Sequence, residues 1–237
     1  MTRKFEVMPI EKVEQILIKA KEHGVREVFP FLNGEPTLHP QFLDIIRLIK
    51  YYDFRCHVIS NFGFIKPQDV VHLHHILRAG DSLTISMDAV TPELYKKIRG
   101  AELQPVLDNI EVLRGMSRSY ILNVQCIVTK HHTQKDLDEF TQYFSSRGMN
   151  SGFGNIANWG GAIESSLPIQ GDHCTRLTTD MCFFTNGDLC LCCIDYDGKH
   201  IFGNIFESSI EELDEKRKLF REQFPQGLCQ TCNGRFL

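Results

Sequence analysis

Apolar positions in the first 165 residues alternate between two patterns. Ile10, Val13, Ile16, Leu17 and Ala20 recur at helical spacing and stop before Gly24, as one face of an amphipathic helix does. The run from Val25 to Leu32, VREVFPFL, predicts a buried strand. PQFLDIIRLIKYY predicts a helix entered through Pro40, and RCHVIS a strand ending at Ser60-Asn61. KPQDVVHLHHILRAG predicts a helix closed by Gly80, and SLTISMDA a strand. TPELYKKIRG predicts a short helix with Thr91 as N-cap and Pro92 in its first turn. A further helix (QPVLDNIEVLRGM), a strand (YILNVQCIVTK), a helix (TQKDLDEFTQYFSSRG) and a weak strand (NSGFGNIANWGG) follow. Strands that alternate with helices in this way predict an α/β fold, with a parallel sheet and helices packed outside it. The strands read as nearly continuous apolar runs, as parallel strands covered by helices do.

The texture changes near residue 165. MCFFTNGDLCLCC predicts a hairpin with a type I′ turn at Asn186-Gly187, because both central positions of that turn need positive φ. SSIEELDEKRKLFREQF predicts a helix capped by Ser209, with Glu212 as capping-box partner. The run Glu215-Lys216-Arg217-Lys218 reads as a solvated face of that helix. Two domains are expected, 1–165 and 166–237.

Composition narrows the function classes. With 237 residues, 42% of them hydrophobic, the chain has enough material for one large core or a core with an appendage. A net charge of -4 gives no basic field for nucleic acid. No apolar run approaches the ~20 residues that span a bilayer, and no secretory leader is visible, so a cytoplasmic protein is expected.

Two groups of residues carry candidate chemistry. Ligands of parallel α/β sheets bind at the carboxyl ends of the strands. Asn33-Gly34-Glu35-Pro36, Ser60-Asn61, and Ser86 with Asp88 fall at three such ends. The second group is the cysteines. Of nine, two (Cys56 and Cys126) precede residue 174 and seven lie between Cys174 and Cys232. In a reducing compartment, clustered cysteines bind metal more often than they form disulfides. Cys174, separated from Gly187 by twelve residues, Cys192, separated from it by four on the other side, and the CxxC of Cys229 and Cys232 supply four thiolates. Such a set fits tetrahedral zinc or a [4Fe–4S] cluster equally well. Cys182, Cys190 and Cys193 are then spare. Cys190 and Cys192 share a strand face while Cys193 points away, which leaves the choice within that trio open.

These features in this order resemble radical S-adenosylmethionine (SAM) enzymes with a C-terminal SPASM/twitch auxiliary-cluster domain. NGEP resembles the family's GGEP element, ISNFGFI its TNG strand end, and LTISMDAVTPELYKKIRG its fourth strand and following helix. GDLCLCCIDYDGKHIFGNIFESSIEEL resembles its C-terminal hairpin, GN and helix. The resemblance covers essentially the whole chain. It implies a partial (β/α) barrel over 1–165 and an auxiliary [4Fe–4S] domain over 166–237, with Cys174, Cys192, Cys229 and Cys232 as ligands. It implies that Asn33, Gly34, Glu35 and Pro36 hold SAM, Glu35 and nearby carbonyls receiving its amino group. Ser60, Asn61, Ser86 and Asp88 would contact its ribose and carboxylate. The implied chemistry is reductive cleavage of SAM to a radical that abstracts hydrogen from a peptide or small-molecule substrate. The implied electron donor is of flavodoxin or ferredoxin type.

The chain departs from the family in one respect. The family holds its catalytic cluster with CxxxCxxC after the first barrel strand, and no such triplet is present. The expectation is a barrel whose first strand and cluster loop lie upstream of residue 1, inactive towards SAM as given. The alternative is a non-catalytic remnant, or a binding module stabilised by zinc or a cluster.

Overall fold

The computed structural model describes residues 6–169, 171 and 173–234. These form two compact units. One spans 26–155, and the other joins the described residues of 1–25 to those of 156–237.

The first unit holds five parallel strands in sequential order: β1 (Glu27–Val28), β2 (Arg55–Ser60), β3 (Ser82–Ser86), β4 (Ile121–Val128) and β5 (Asn150–Asn155). Consecutive parallel neighbours, each reached through helix, are the arrangement of an incomplete (β/α) barrel. The crossovers carry α2 (Phe42–Tyr51), α3 (Pro67–Ile76), α4 (Pro92–Arg99), α5 (Gln104–Arg114) and α6 (Gln134–Ser145). Ile45, Ile46 and Ile49 of α2, Val70 and Leu73 of α3, and Val106, Ile110 and Leu113 of α5 are buried, as are Val58, Leu83, Ile85, Leu122 and Val124 of the sheet. Gly100 ends α4 at φ +68, a left-handed position that glycine fills without strain. Thr91 precedes α4 in extended conformation, but its side chain makes no capping bond.

Two expectations for the sheet need correction. The strand expected over 25–32 is only two residues long, and Phe29 beyond it is 53% exposed. Among the described residues it is an edge strand paired with β2 alone, and Pro30 has no N–H to extend the pairing. Nor are the central strands continuously buried. In β2, β3 and β4 buried and half-exposed residues alternate. His57, Ile59, Ser82, Thr84, Ser86, Asn123 and Gln125 line the half-exposed face. The inner surface of an incomplete barrel is not filled by apolar layers, so its residues are free to be polar.

A buried ion pair lies at the start of β2 and β3. Asp81 is 0% exposed and accepts from Lys50 Nζ (2.6 Å), Cys56 N (2.8 Å) and Arg78 N (2.7 Å). Lys50 Nζ also donates to Phe54 O at 2.7 Å. These bonds satisfy both carboxylate oxygens, which is what makes a buried carboxylate tolerable there.

The second unit contains an antiparallel sheet of β6 (Cys182–Phe183), β7 (Asp188–Cys190) and β8 (Ile201–Asn204), with α7 (Arg176–Thr179) and α8 (Ile210–Glu222). Helix α1 (Ile10–Glu22) is tied to the chain just before α8. Lys19 Nζ donates to Ile205 O and Ser208 O at 2.6 and 3.0 Å, and His23 pairs with Glu211 at 2.8 Å. Ser209 and Glu212 form the expected capping box on α8.

The hairpin turn is not type I′. Gly187 has φ +93, whereas Asn186 is absent from the positive-φ residues. Gly187 N donates to Phe184 O (2.8 Å) and Phe184 N to Asp188 O (2.9 Å), so the connection is a type I turn closed by a left-handed glycine. A side chain on Gly187 would clash with the Phe206 ring. Arg217, expected on a solvated face, is 2% exposed and donates to Arg176 O at 3.2 Å. Burial lowers its pKa, and the nearby Cys182, Asp214 and Asp180 oppose that shift. The charge run therefore hides one core position among surface ones.

Candidate functional site

The polar strand ends of the first unit form two hydrogen-bonded knots. The first is built on Glu35. Its Oε1 accepts from Thr37 N (3.1 Å), Thr37 Oγ1 (2.6 Å) and Ser60 Oγ (2.6 Å), and its Oε2 from Asn61 N (2.8 Å). The loop after β1 is thereby fastened to the end of β2. Ser60 Oγ also accepts from Phe62 N at 2.9 Å, and Asn61 Oδ1 from Gly63 N at 3.0 Å. Phe62 sits at φ +61, unusual for a bulky residue. Asn109 of α5 holds that turn by donating to Phe62 O and Ile65 O at 2.9 and 2.8 Å.

The second knot is built on Arg99, at the end of α4. It pairs with Asp88 through Nε (2.5 Å) and donates to Ser86 Oγ at 2.7 Å. Asp88 Oδ1 also accepts from Ile127 N at 2.8 Å, and His132 Nε2 lies 2.7 Å from Asp88 O. Tyr95 links the knots electrostatically. Burial raises its pKa, and Arg99, Asp88 and Glu35 all act on it.

Asn33 is the exception along this edge. Its Nδ2 and Oδ1 are buried and have no hydrogen-bond partner. A side chain at Gly34 would meet nothing within 4 Å. Gly34 is not among the positive-φ residues, so the backbone does not demand glycine there and what the residue leaves is open space. An orphaned amide beside open space is a feature that a ligand with both donor and acceptor groups would complete. SAM, with its ammonium and carboxylate, is such a ligand.

In the second unit, Leu177, Leu191, Cys192, Ile194, Cys229 and Cys232 form a buried cluster, with Cys174 and Cys193 packed against it. The four expected ligands thus share one neighbourhood, together with Cys193. Cys182 and Cys190 face each other across the hairpin, and Cys190 Sγ donates to Cys182 O at 3.2 Å. Burial pushes the Cys192 thiol up to about 12, against the backbone N–H groups of Ile194 and Asp195 directed at its sulfur. Gly234 N donates to Cys232 Sγ at 3.3 Å. Among the described residues no three His, Cys, Asp or Glu side chains are set to hold a single metal ion. Gathered, N–H-bonded sulfurs are the donor type that thiolate zinc sites and iron–sulfur groups both take. The residues present fit an iron–sulfur group.

A turn buttresses this region. Asn158 N donates to Asn233 Oδ1 (2.7 Å) and Asn233 N to Asn158 Oδ1 (3.1 Å), and Thr231 Oγ1 donates to Gly160 O (2.7 Å). The bonds hold Trp159, Gly160 and Gly161 at φ +49, +66 and +92 against the CxxC loop.

Two family descriptions match the chain. Residues 1–144 match the Radical SAM superfamily and residues 174–233 an iron–sulfur cluster-binding domain. The chain belongs to the radical SAM superfamily. It is 32% identical over 110 residues to a probable GTP 3′,8-cyclase of Thermococcus kodakarensis, covering 46% of this chain and 34% of that protein. It is 29% identical over 162 residues to a GTP 3′,8-cyclase of Limosilactobacillus fermentum, covering 67% and 47%. The chain thus spans a third to a half of these relatives' lengths. Among solved structures, Streptococcus suis SuiB bound to precursor peptide SuiA superposes with a TM-score of 0.78 at 15% identity, covering 98% of this chain and 64% of that one. At that identity the likeness shows the fold.

Sequence reasoning named Glu35, Ser60, Asn61, Ser86 and Asp88 but missed Arg99, Thr37 and His132. The RG that closes α4 was a visible signal, read only as a helix end.

Proposed function

We propose that this radical SAM/SPASM-type chain carries the SAM-facing barrel and auxiliary-cluster portions of an enzyme that removes hydrogen from a peptide or small-molecule substrate. The observation that carries the reading is the gathering of Cys174, Cys192, Cys193, Cys229 and Cys232 in one apolar cluster. Cys174, Cys192, Cys229 and Cys232 hold a [4Fe–4S] group, with Cys193 the alternate on the hairpin. Residues 1–165 act as the barrel portion and 166–237 as the cluster domain. Bound SAM with a reduced cluster supplies the hydrogen-abstracting radical of this family. The chain's own part is to orient SAM. Asn33 donates and accepts where its amide is unpartnered, and the Glu35 and Asp88 knots fix the loops around it. Pro36 is buried and stiffens the turn. SuiB, by its description, binds a precursor peptide, which supports a peptide substrate. An electron donor of flavodoxin or ferredoxin type and a cytoplasmic setting complete the reading. No helix of the described residues is long and apolar enough to cross a membrane.

Anaerobic reconstitution with iron and sulfide, followed by iron, sulfide and zinc analysis, tests the cluster. The expected result is about four irons and four sulfides per chain. Stoichiometric zinc without sulfide would establish the zinc-stapled binding module instead. With SAM and dithionite the 237-residue chain is expected to form no 5′-deoxyadenosine. Cys56 and Cys126 are buried in separate strands, and burial pushes each thiol up to about 12. They leave the barrel portion without three cysteines to hold a catalytic cluster.

A further inference from the structure

We propose that Arg217 is the counter-charge of the iron–sulfur group held by the C-terminal cysteines, and that its guanidinium raises the reduction potential of that group. The inference rests on the cluster assignment made above.

Leu213, Arg217 and Phe220 stand four and three residues apart, on one face of α8. Leu213 is fully buried, and Phe220 packs against the cysteine cluster. Arg217, between them, is 2% exposed. Its Nη2 donates to Arg176 O at 3.2 Å, two residues past Cys174 and next to Leu177 of the same cluster. The Cys182 thiol, foremost of the groups whose charge acts on Arg217, lies within electrostatic reach of Cys192. The neighbours on this face are apolar, and leucine or methionine would fit among them. The chain places a cation there instead.

That cation is not balanced by a carboxylate. Its Nε is buried and has no hydrogen-bond partner. Among the described residues no acidic side chain forms an ion pair with it. Asp214 pairs with Arg221 at 3.1 Å, and Asp180 accepts from Thr179 Oγ1 at 2.6 Å. Arg221 shows the contrast: it has its own carboxylate and also donates to Leu177 O at 2.9 Å. A buried cation left without an anion is costly, and an anionic group beside it offsets that cost. Four thiolate ligands put negative charge at the centre, and reduction adds more. Net charge and hydrogen bonding set the potential of such groups, and a nearby buried cation favours the added electron.

The test uses the full chain reconstituted anaerobically with iron and sulfide, alongside Arg217→Met, Arg217→Lys and Arg221→Met. Spectroelectrochemical titration reads the midpoint potential of each. Urea unfolding of the metal-free chains is followed by emission of Trp159, the chain's one tryptophan, which belongs to the second unit. For Arg217→Met the expected result is a severalfold shift of the reduction equilibrium towards the oxidised group, with a metal-free urea midpoint no lower than wild type. Arg217→Lys keeps the charge and recovers part of the shift. Arg221→Met, which removes a cation already paired, shifts the potential less. An unchanged potential in Arg217→Met, an equal shift in Arg221→Met, or a metal-free midpoint that falls in Arg217→Met overturns the proposal. Wild type that retains neither iron nor sulfide overturns the cluster assignment as well, so the two failures are told apart by the iron content of the wild-type chain.

Discussion

Glu35→Gln separates two roles for this carboxylate, that of a ligand to SAM and that of a clasp between strand ends. The change keeps size and shape but replaces one acceptor oxygen with a donor NH2. Placed at Oε1, that NH2 would face three donors, so it turns towards Asn61 N, which donates to Oε2 at 2.8 Å. There a donor meets a donor, and a half-buried N–H is left unpaired at a cost of about 1–3 kcal/mol. The three bonds to Oε1, from Thr37 N, Thr37 Oγ1 and Ser60 Oγ, lose their charge assistance, roughly another 0.5 kcal/mol each. Because Glu35 is only half-buried, water recovers part of this, and a net loss of about 2 kcal/mol is expected. Urea denaturation measures it as a lower midpoint at unchanged m-value. A loss below about 0.5 kcal/mol would refute the clasp and leave the carboxylate free for an ammonium. Calorimetric titration of SAM into wild type and variant then reads the ligand role independently.

Three further outcomes are expected. Asp81→Asn strands a buried lysine and should cost about 3–5 kcal/mol in urea denaturation, much of it recovered by Lys50→Met in the same chain. Cys192→Ser and Cys229→Ser should lower iron retained after reconstitution, measured colorimetrically, while Cys182→Ser leaves it unchanged; the reverse pattern would move the ligand set to the hairpin face. The capping box at the start of α6 should titrate: the Thr133 hydroxyl and N–H lower the Asp136 pKa below its ordinary 3.8. Its contribution is complete above that ordinary value and disappears as pH falls through the lowered one. Between pH 5 and about pH 2, the thermal stability of Asp136→Asn should fall less than that of wild type, by about 0.5 kcal/mol or less.

The parallel sheet, the helix positions and the cap on α8 were legible because each rests on local periodicity or on side chains that bond within one turn. What failed depended on neighbours. Val25–Leu32 is apolar enough for an interior strand, but apolarity does not reveal which strand lies at an edge. Asn186-Gly187 fits a type I′ turn by composition, yet the strand register set by Phe184 and Asp188 places only the glycine at positive φ. Arg217 lies in a charged run, and only its position on α8 shows that it is buried. The candidate site was half legible. Polar residues at strand ends stand out in sequence, whereas Arg99, which arrives from the following helix, needs the folded chain to be seen.

The strand ends also show what a ligand edge requires before any ligand arrives. Ser60, Asn61, Ser86 and Asp88 were expected to contact SAM, yet their polar atoms largely bind Glu35, Arg99 and local backbone. A flexible polar rim would have to be ordered at the moment of binding, at a cost in affinity. A rim whose groups already satisfy one another keeps its geometry, and its remaining lone pairs can accept from a ligand without rearrangement. Asn33 breaks that self-sufficiency. Its two amide atoms are buried without partners, a cost of about 1–3 kcal/mol per group in the unliganded protein. A ligand that satisfies them regains that free energy on binding, so the proposed SAM site would draw its specificity from Asn33 and its rigidity from the knots. Asn33→Ala should therefore stabilise the free chain while weakening SAM binding, which is opposite to the effect of Glu35→Gln on stability.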